Sequence, residues 1–152
     1  MQVPSRFTLA LHIFACLYSL PGEERLTSER LAASANVNPV IIRKTLGQLK
    51  AAGLVQVARG SGGASAAKPL GEISLLDVYR AVECDEPEGM FRFSPRPNPG
   101  CPVCRNLRTV LEPRLAQVQR AMEAELARVS IEEICREVDK RVVEQRFLET
   151  NQ

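Results

Sequence analysis

The chain has 152 residues, enough for one domain or two small ones with a hydrophobic core that needs no disulfide or metal ion to fold. Apolar residues make up 45% of it and charged residues 25%, which excludes a disordered, collagen-like or purely coiled-coil chain. The single histidine, His12, excludes a His-rich metal site. Aromatic residues are scarce while Ala, Leu, Glu and Arg are abundant, so the composition favours helix over strand.

The net charge of +2 is unevenly distributed along the chain. Residues 1–68 hold eight Lys and Arg against three Asp and Glu, a net +5, whereas residues 69–152 hold twelve against fifteen, a net −3. A basic first half indicates a polyanionic partner for that half, although chance surface charge gives the same arithmetic.

Residues 7–20 are mostly apolar and follow Arg6, so they resemble the central part of a signal peptide. The run is too short to cross a bilayer, which takes about 20 residues. It has no A-x-A cleavage pattern before Pro21, and its leucines recur at helical spacing. We therefore expect a cytoplasmic protein without membrane association, in which the five cysteines are thiols, ligands or redox switches rather than disulfides.

The first half is predicted to contain three helices. The first covers 5–20, and a turn at 21–24 follows. Thr27 can cap a second helix that ends near residue 34, and Asn38 with Pro39 begins a third helix that ends at about residue 52, where Gly53 serves as its C-terminal cap.

The third helix has one buried stripe, formed by Ile42, Leu46 and Leu49. The residues that we expect largely off this stripe are Val40, Ile41, Arg43, Lys44, Thr45, Gln48 and Lys50.

A short hairpin is predicted after the third helix. Residues 54–57 alternate like a half-buried strand, 59–64 form a glycine-rich loop, and 65–70 can return as a second strand. Helix, helix–turn–helix and a glycine-tipped hairpin together are typical of a winged helix-turn-helix. The predicted fold class is therefore mainly α with a small β-hairpin wing.

The second half is predicted to begin with a short helix over 75–82, capped by Ser74, and an irregular loop over 83–100. A long helix is expected over about 101–129, where Pro113 should kink it or end its first turns. A capping box at 130–133 begins a final helix. The apolar residues of the long helix follow an eleven-residue period that suits a helix pair: Leu107, Leu111, Leu115, Val118, Met122, Leu126 and Val129.

The resulting organisation has three parts. Residues 1–83 form a winged helix-turn-helix domain that binds DNA, 84–100 an irregular linker or sensor loop, and 101–152 a helical dimerisation region.

An ordered set of segments resembles a known family. The segments are FTLALHI at 7–13, NPVIIRK at 38–44, LKAAGLV at 49–55, RGSGGA at 59–64, ISLLDVYRAV at 73–82, NPGCPV at 98–103 and VQRAME at 118–123. In this set the chain resembles the Rrf2 family of bacterial winged-helix transcriptional regulators, and within it the YwnA-like branch. The resemblance implies a homodimer that binds a double-stranded DNA operator, and we expect a repressor.

The resemblance also implies how DNA is bound, with the third helix in the major groove and the wing in the minor groove. Polar side chains there can contact bases or phosphates, and glycines allow close backbone approach. The candidate DNA-binding residues are Asn38, Val40, Ile41, Arg43, Lys44, Gln48, Lys50, Arg59, Ser61, Gly62 and Gly63. The alternative is a solvated polar face on an ordinary core helix, with the glycines serving a turn.

Three cysteines lie around the start of the long helix. Relatives that carry an iron–sulfur cluster have three Cys there, evenly spaced by five intervening residues, whereas here sixteen residues separate Cys84 from Cys101 and two separate Cys101 from Cys104. This spacing disfavours a cluster, and we expect no cofactor. Three interpretations stay open. The first is a redox switch, in which the helix dipole lowers the pKa of Cys101 and either Cys104 or Cys84 is the resolving thiol. The second is inert thiols, and the third, which the spacing disfavours, is a cluster or zinc site that takes a fourth ligand from elsewhere.

Two other function classes compete with a DNA-binding regulator. A small thiol oxidoreductase using Cys101 and Cys104 would need this motif after a strand in a βαβ unit, whereas here a Pro-rich loop precedes it. A winged helix that binds a protein or RNA would have the same fold without specific duplex binding. We expect a transcriptional regulator and no enzyme, and the effector is not implied.

Overall fold

The computed structural model describes residues 5–20, 25–60, 62–83 and 91–150. The described helices are α1 (Arg6–Ser19), α2 (Ser28–Ala35), α3 (Pro39–Ala51), α4 (Leu75–Glu83), α5 (Pro102–Ala127) and α6 (Ile131–Thr150). Strands β1 (Val55–Val57) and β2 (Ala64–Ala66) pair antiparallel between α3 and α4, and a 3₁₀ turn covers Leu70–Glu72. The predicted fold class is confirmed, while the predicted turn at 21–24 lies outside the described residues. None of the described helices is both long and apolar enough to span a membrane.

The predicted helix ends are confirmed by hydrogen bonds. The Thr27 hydroxyl accepts the Arg30 N–H at 3.4 Å, and the Asn38 side-chain oxygen accepts the Val40 N–H at 2.9 Å with Pro39 in the first helical position. Gly53 follows Ala52, the C-cap residue of α3, and has φ +74°, a left-handed conformation that L side chains rarely adopt. These local signals mark the start of α2 and the two ends of α3.

Two predicted boundaries are wrong: the end of the second strand and an end of the long helix at Pro113. The second strand ends at residue 66 rather than 70, because Pro69 has no N–H to donate to the ladder. Of the two outcomes predicted for Pro113, an end of the helix is wrong, since α5 continues without a break from Pro102 to Ala127, whereas a kink stays a prediction. Pro113 and Thr109 are both exposed, so the Thr109 carbonyl, which loses its helical donor, stays in contact with water.

One hydrophobic core lies between α1, α2, α3, α4 and the start of α6. Ile13, Phe14 and Ile42 are completely buried in it. Ile131 and Cys135 of α6 are also buried there, although the sequence predicts a dimerisation role for all of 101–152. The first turns of α6 therefore complete the core of the winged unit.

Backbone hydrogen bonds join the junction between α5 and α6 to the start of α4. The Leu75 N–H donates to the Val129 carbonyl at 2.9 Å, and the Ile131 N–H donates to the Ile73 carbonyl at 2.8 Å. The Arg80 guanidinium of α4 also pairs with Glu123 of α5 at 3.4 Å. Backbone hydrogen bonds thus connect the end of α5 and the start of α6 to the winged unit.

Candidate nucleic-acid interface

Helix α3 buries one face and exposes the other. The predicted stripe of Ile42, Leu46 and Leu49 is buried in the core. Thr45 is buried as well, against the prediction, because its hydroxyl donates to the Ile41 carbonyl at 2.9 Å and so needs no water. The exposed face consists of Val40, Arg43, Lys44, Gly47 and Lys50.

A groove of about 620 Å³ separates this exposed face from the wing. Arg43, Gly47 and Lys50 line it from α3, and Gly60 and Gly63 line it from the hairpin loop. Ser28 and Glu29, at the start of α2, form its end. The groove therefore brings α3, the wing and the first turn of α2 to one surface.

The wing glycines are required by the fold of the loop itself. Gly63 has φ +75°, and a Cβ there would lie 2.9 Å from the Leu26 nitrogen. The Ala58 N–H donates to the Gly63 carbonyl at 3.0 Å. A Cβ on Gly62 would overlap the Ala58 side chain. The turn interpretation of these glycines is therefore sufficient, and their DNA contact stays a prediction.

The basic side chains around the groove fall into two groups. Lys44, Lys50 and Arg59 are exposed and form no ion pair with any residue that the structure describes. Arg43 instead contacts the start of α2: its Nη2 lies 2.8 Å from Glu29 Oε1, and its Nε donates to the Ser28 hydroxyl at 3.3 Å. The Arg43 hydrogen bond is the main reason that the pKa of the Glu29 carboxyl is lowered.

The remaining predicted residues lie at the edges of this surface. Asn38 is exposed, with its side-chain oxygen occupied by the cap. Ile41 and Gln48 are half-buried, and Ile41 packs partly against the core. Ser61 lies outside the described residues. The structure thus brings together Val40, Arg43, Lys44 and Lys50, with Arg59, Gly62 and Gly63 on the wing.

Several residues of this surface are absent from the sequence-based candidates, among them Ser28, Glu29 and Gly47. Gly47 carried a readable signal, because glycine inside a helix is unfavourable by about 1 kcal/mol relative to alanine and so suggests close approach of another molecule. Ser28 and Glu29 carried none, since only the angle between α2 and α3 brings them to Arg43.

Cys101 and Cys104 share the first turn of α5, and Cys101 is its N-cap residue. No capping hydrogen bond of ordinary geometry reaches the Cys101 sulfur. The backbone N–H of Cys104 nevertheless lowers the pKa of the Cys101 thiol, helped by the Cys104 thiol and the Val103 N–H. The same contact with Cys101 raises the pKa of the Cys104 thiol. Cys84 lies outside the described residues.

The loop before α5 lies against that helix. The Arg108 guanidinium is 5.5 Å from the centre of the Phe93 ring. Phe91, Phe93, Arg108 and Leu115 line a cavity of about 370 Å³ between the loop and the helix. The loop and the two thiols therefore lie along the same side of the molecule's longest helix.

Helix α5 has no buried residue and two adjacent apolar strips. Leu111, Leu115, Met122 and Leu126 are half-buried against their own subunit. The second strip is exposed and consists of Val103, Leu107, Val110 and Val118. The stripe predicted from the sequence is therefore divided, and only part of it is available to another molecule.

Comparisons with known proteins agree with this architecture. A family model described as Rrf2, iron-dependent transcriptional regulator, matches residues 3–137. YwnA of Bacillus subtilis (strain 168), which is named as an HTH-type transcriptional regulator, is 40% identical to this chain. The matched region has 133 residues and covers 88% of this chain and 96% of YwnA. A crystal structure described as that of a DNA-binding protein is 38% identical, with a TM-score of 0.67 over 86% of this chain and 98% of that chain.

The structure of CymR, the global cysteine regulator of B. subtilis, has a similar fold. It is 19% identical to this chain, with a TM-score of 0.61 over 89% of this chain and 96% of CymR. At this identity the likeness shows the fold alone.

Iron belongs to the description of the matching family, and the described residues do not fit it. Within them, no three His, Cys, Asp or Glu side chains lie close enough together to hold a metal ion. Iron–sulfur and zinc sites take three or four protein ligands, and the start of α5 supplies two thiols. The absence of a cofactor stays a prediction.

Proposed function

Because this chain belongs to the Rrf2 family and is a helix-turn-helix transcriptional regulator, we propose that it acts as a homodimeric repressor in the cytoplasm, responsive to oxidants through Cys101 and Cys104. One observation carries the DNA-binding part of the proposal: the exposed basic face of α3 and the wing line the same groove. An enzyme or a protein-binding winged helix has no need of this arrangement.

The exposed face of α3 suits the major groove. In a helix-turn-helix, the first residues of the second helix meet the base edges, and here these are Val40, Arg43 and Lys44. Val40 is 62% exposed, which suits contact with a thymine methyl group. We expect Lys50 on α3 and Arg59 on the wing to contact phosphates of the duplex.

Dimerisation is supported by the exposed strip of α5. Four large apolar side chains on one side of one helix are unusual on the surface of a monomer, and a second copy of the same strip covers them. The dimer then separates the two α3 helices by a constant distance, which selects operators with two half-sites about one DNA turn apart.

Repression requires only occupation of the operator. The winged unit supplies the DNA surface and α5 the dimer surface, so bound protein blocks transcription by occupying the promoter. A reporter gene placed behind the operator should be expressed more strongly when the chain is deleted, and weaker expression after deletion would identify an activator.

The proposed thiol chemistry rests on the position of Cys101 and Cys104 in one helical turn, and the lowered pKa of the Cys101 thiol supports it. The Cys101 thiolate attacks one oxygen of a peroxide, the O–O bond breaks and hydroxide leaves, so the sulfur becomes a sulfenic acid while the peroxide is reduced. The Cys104 thiol then attacks that sulfur, an S–S bond forms and water leaves. We expect closure of this bond to change the first turn of α5 and so to shift the helix, whose opposite end is joined to the winged unit by the hydrogen bonds of Ile73 and Leu75.

Selection from a random duplex library tests the DNA-binding proposal. The purified, reduced chain should enrich an inverted repeat, and Arg43→Ala with Lys44→Ala should abolish the enrichment while circular dichroism stays unchanged. Failure to enrich any sequence, together with binding that does not depend on salt, would favour the protein-binding alternative.

The redox part needs a separate measurement. Affinity for the enriched duplex is measured for the wild type and Cys101→Ser, each reduced and after mild treatment with hydrogen peroxide. Oxidation should weaken the binding of the wild type to the duplex and leave the binding of Cys101→Ser unchanged. An equal effect on both proteins, or none, would show that Cys101 is not the sensor.

A further inference from the structure

The acidic residue at the groove is unusual for a surface that faces DNA. Glu29 is exposed at the start of α2, and its carboxylate lines the same groove as Arg43 and Lys50. DNA approaches with one negative charge per phosphate, so a carboxylate here opposes binding unless it has a role. The Arg43 side chain is 57% exposed and the Glu29 side chain 63%, so both are accessible from the groove.

The contacts divide the Arg43 guanidinium into two edges. The edge formed by Nε and Nη2 is bound by α2, through the Ser28 hydroxyl at 3.3 Å and the Glu29 carboxylate at 2.8 Å. A guanidinium carries five N–H donors in a planar fork. Its other edge, formed by Nη1 and the second hydrogen of Nη2, therefore stays available for a bidentate contact to guanine O6 and N7.

We propose that Glu29 is a specificity-determining residue, which holds Arg43 for base recognition and keeps it from binding phosphates without sequence preference. The inference rests on the proposed function, because it requires α3 to face the major groove. On the operator, Arg43 reads guanine with its open edge and keeps its contacts to α2. On other sequences, Arg43 reaches a phosphate only by leaving Glu29.

A purely structural role does not account for the pair. Exposed ion pairs contribute little to stability because both charges are already well solvated. The core that positions α2 and α3 is apolar and includes Leu31, Ile42 and Leu49. Removing the Glu29 charge therefore leaves the fold intact and changes only what Arg43 can contact.

The test compares Glu29→Gln with the wild type on the enriched operator and on random duplex DNA. Glu72→Gln is the matched control, since it removes the same charge from an exposed residue of the winged unit that does not line the groove. We expect Glu29→Gln to bind random DNA about twofold to fivefold more tightly, the range of an exposed ion pair, with a smaller change on the operator. The salt dependence on random DNA should steepen by about 0.9 in logarithmic slope, for one added phosphate contact.

A second comparison separates the role of Arg43 from net charge. In an Arg43→Ala background, Glu29→Gln should have no more effect than Glu72→Gln. Equal changes on operator and random DNA, or equal effects of Glu29→Gln and Glu72→Gln with Arg43 present, would overturn the inference. A wild type that prefers no duplex would overturn the proposed function itself, and that result is visible before any variant is made.

Discussion

Helices α3 and α5 are both amphipathic and use their faces in opposite ways. Helix α3 has 13 residues, buries Ile42 and Leu49 completely, and exposes a basic face. Helix α5 has 26 residues, buries none completely, and exposes Val103, Leu107, Val110 and Val118. Length does not predict burial here, since the shorter helix lies inside the core and the longer one extends beyond it.

The difference indicates two kinds of partner. The exposed polar face of α3 loses little by staying in water and gains from a polyanion, whereas the exposed apolar face of α5 is stabilised by removal from water. Substitutions that exchange these properties should therefore affect either DNA binding or assembly, and the two effects can be measured separately.

The largest effect is expected for Val110→Glu with Val118→Glu. These side chains are 56% and 53% exposed, so the subunit should fold, while two buried charges should prevent dimerisation. Loss of two-site binding should weaken operator affinity by at least about 100-fold. Sedimentation measures the mass, and Leu20→Glu at the end of α1, exposed to 48% and outside the predicted dimerisation region, is the matched control. A dimer that persists in the double variant would show that assembly uses another surface.

Arg43→Ala should have the next largest effect, on α3. Loss of a base contact costs about 1–3 kcal/mol on the operator and less on random DNA. Lys50→Ala should instead weaken binding to all DNA sequences alike and reduce the salt dependence of that binding. Fluorescence anisotropy at several salt concentrations distinguishes the two, and identical profiles would show that Arg43 contacts phosphate.

Gly47→Ala should change stability and binding in opposite directions. No atom lies within 4 Å of a Cβ built on Gly47, so alanine fits, and the helix should gain about 1 kcal/mol in free energy of unfolding. The added methyl group should weaken operator binding, because the proposed DNA contact brings the α3 backbone close to the duplex there. Urea unfolding and anisotropy measure the two quantities. A more stable variant with unchanged affinity would show that DNA does not approach Gly47.

The smallest effect concerns the Cys101 thiol. Because the pKa of Cys101 is lowered, its thiolate forms at a lower pH than the thiolate of an ordinary cysteine. The midpoint pH at which the rate of alkylation by iodoacetamide rises should therefore be lower than for an ordinary cysteine. Cys104→Ala removes one stabilising thiol but keeps the backbone N–H. The midpoint pH of Cys101 alkylation should therefore rise only part of the way to that of an ordinary thiol. Buried Cys135, whose pKa burial raises to about 11, is the unreactive internal control in peptide mass mapping. Equal midpoints in both proteins would show that the Cys104 thiol does not act on Cys101.

Local signals in the sequence predicted most of the fold. Thr27, Asn38 and Gly53 mark helix ends through their own side chains or backbone freedom, and each has its predicted place. The buried stripe of α3 follows from helical periodicity alone. Such features depend on residues within a few positions of one another, which is why they can be read without a structure.

What only the tertiary structure decided depends on contacts between distant segments. The burial of Thr45 and the division of the α5 stripe follow from which neighbours each helix meets. The same holds for the joining of Ile131 and Cys135 to the winged core and for the contact of Glu29 with Arg43, 14 positions later. Periodicity determines which side chains share a face of a helix, but the packing of one helix on another determines whether that face meets the core, solvent or a charged neighbour.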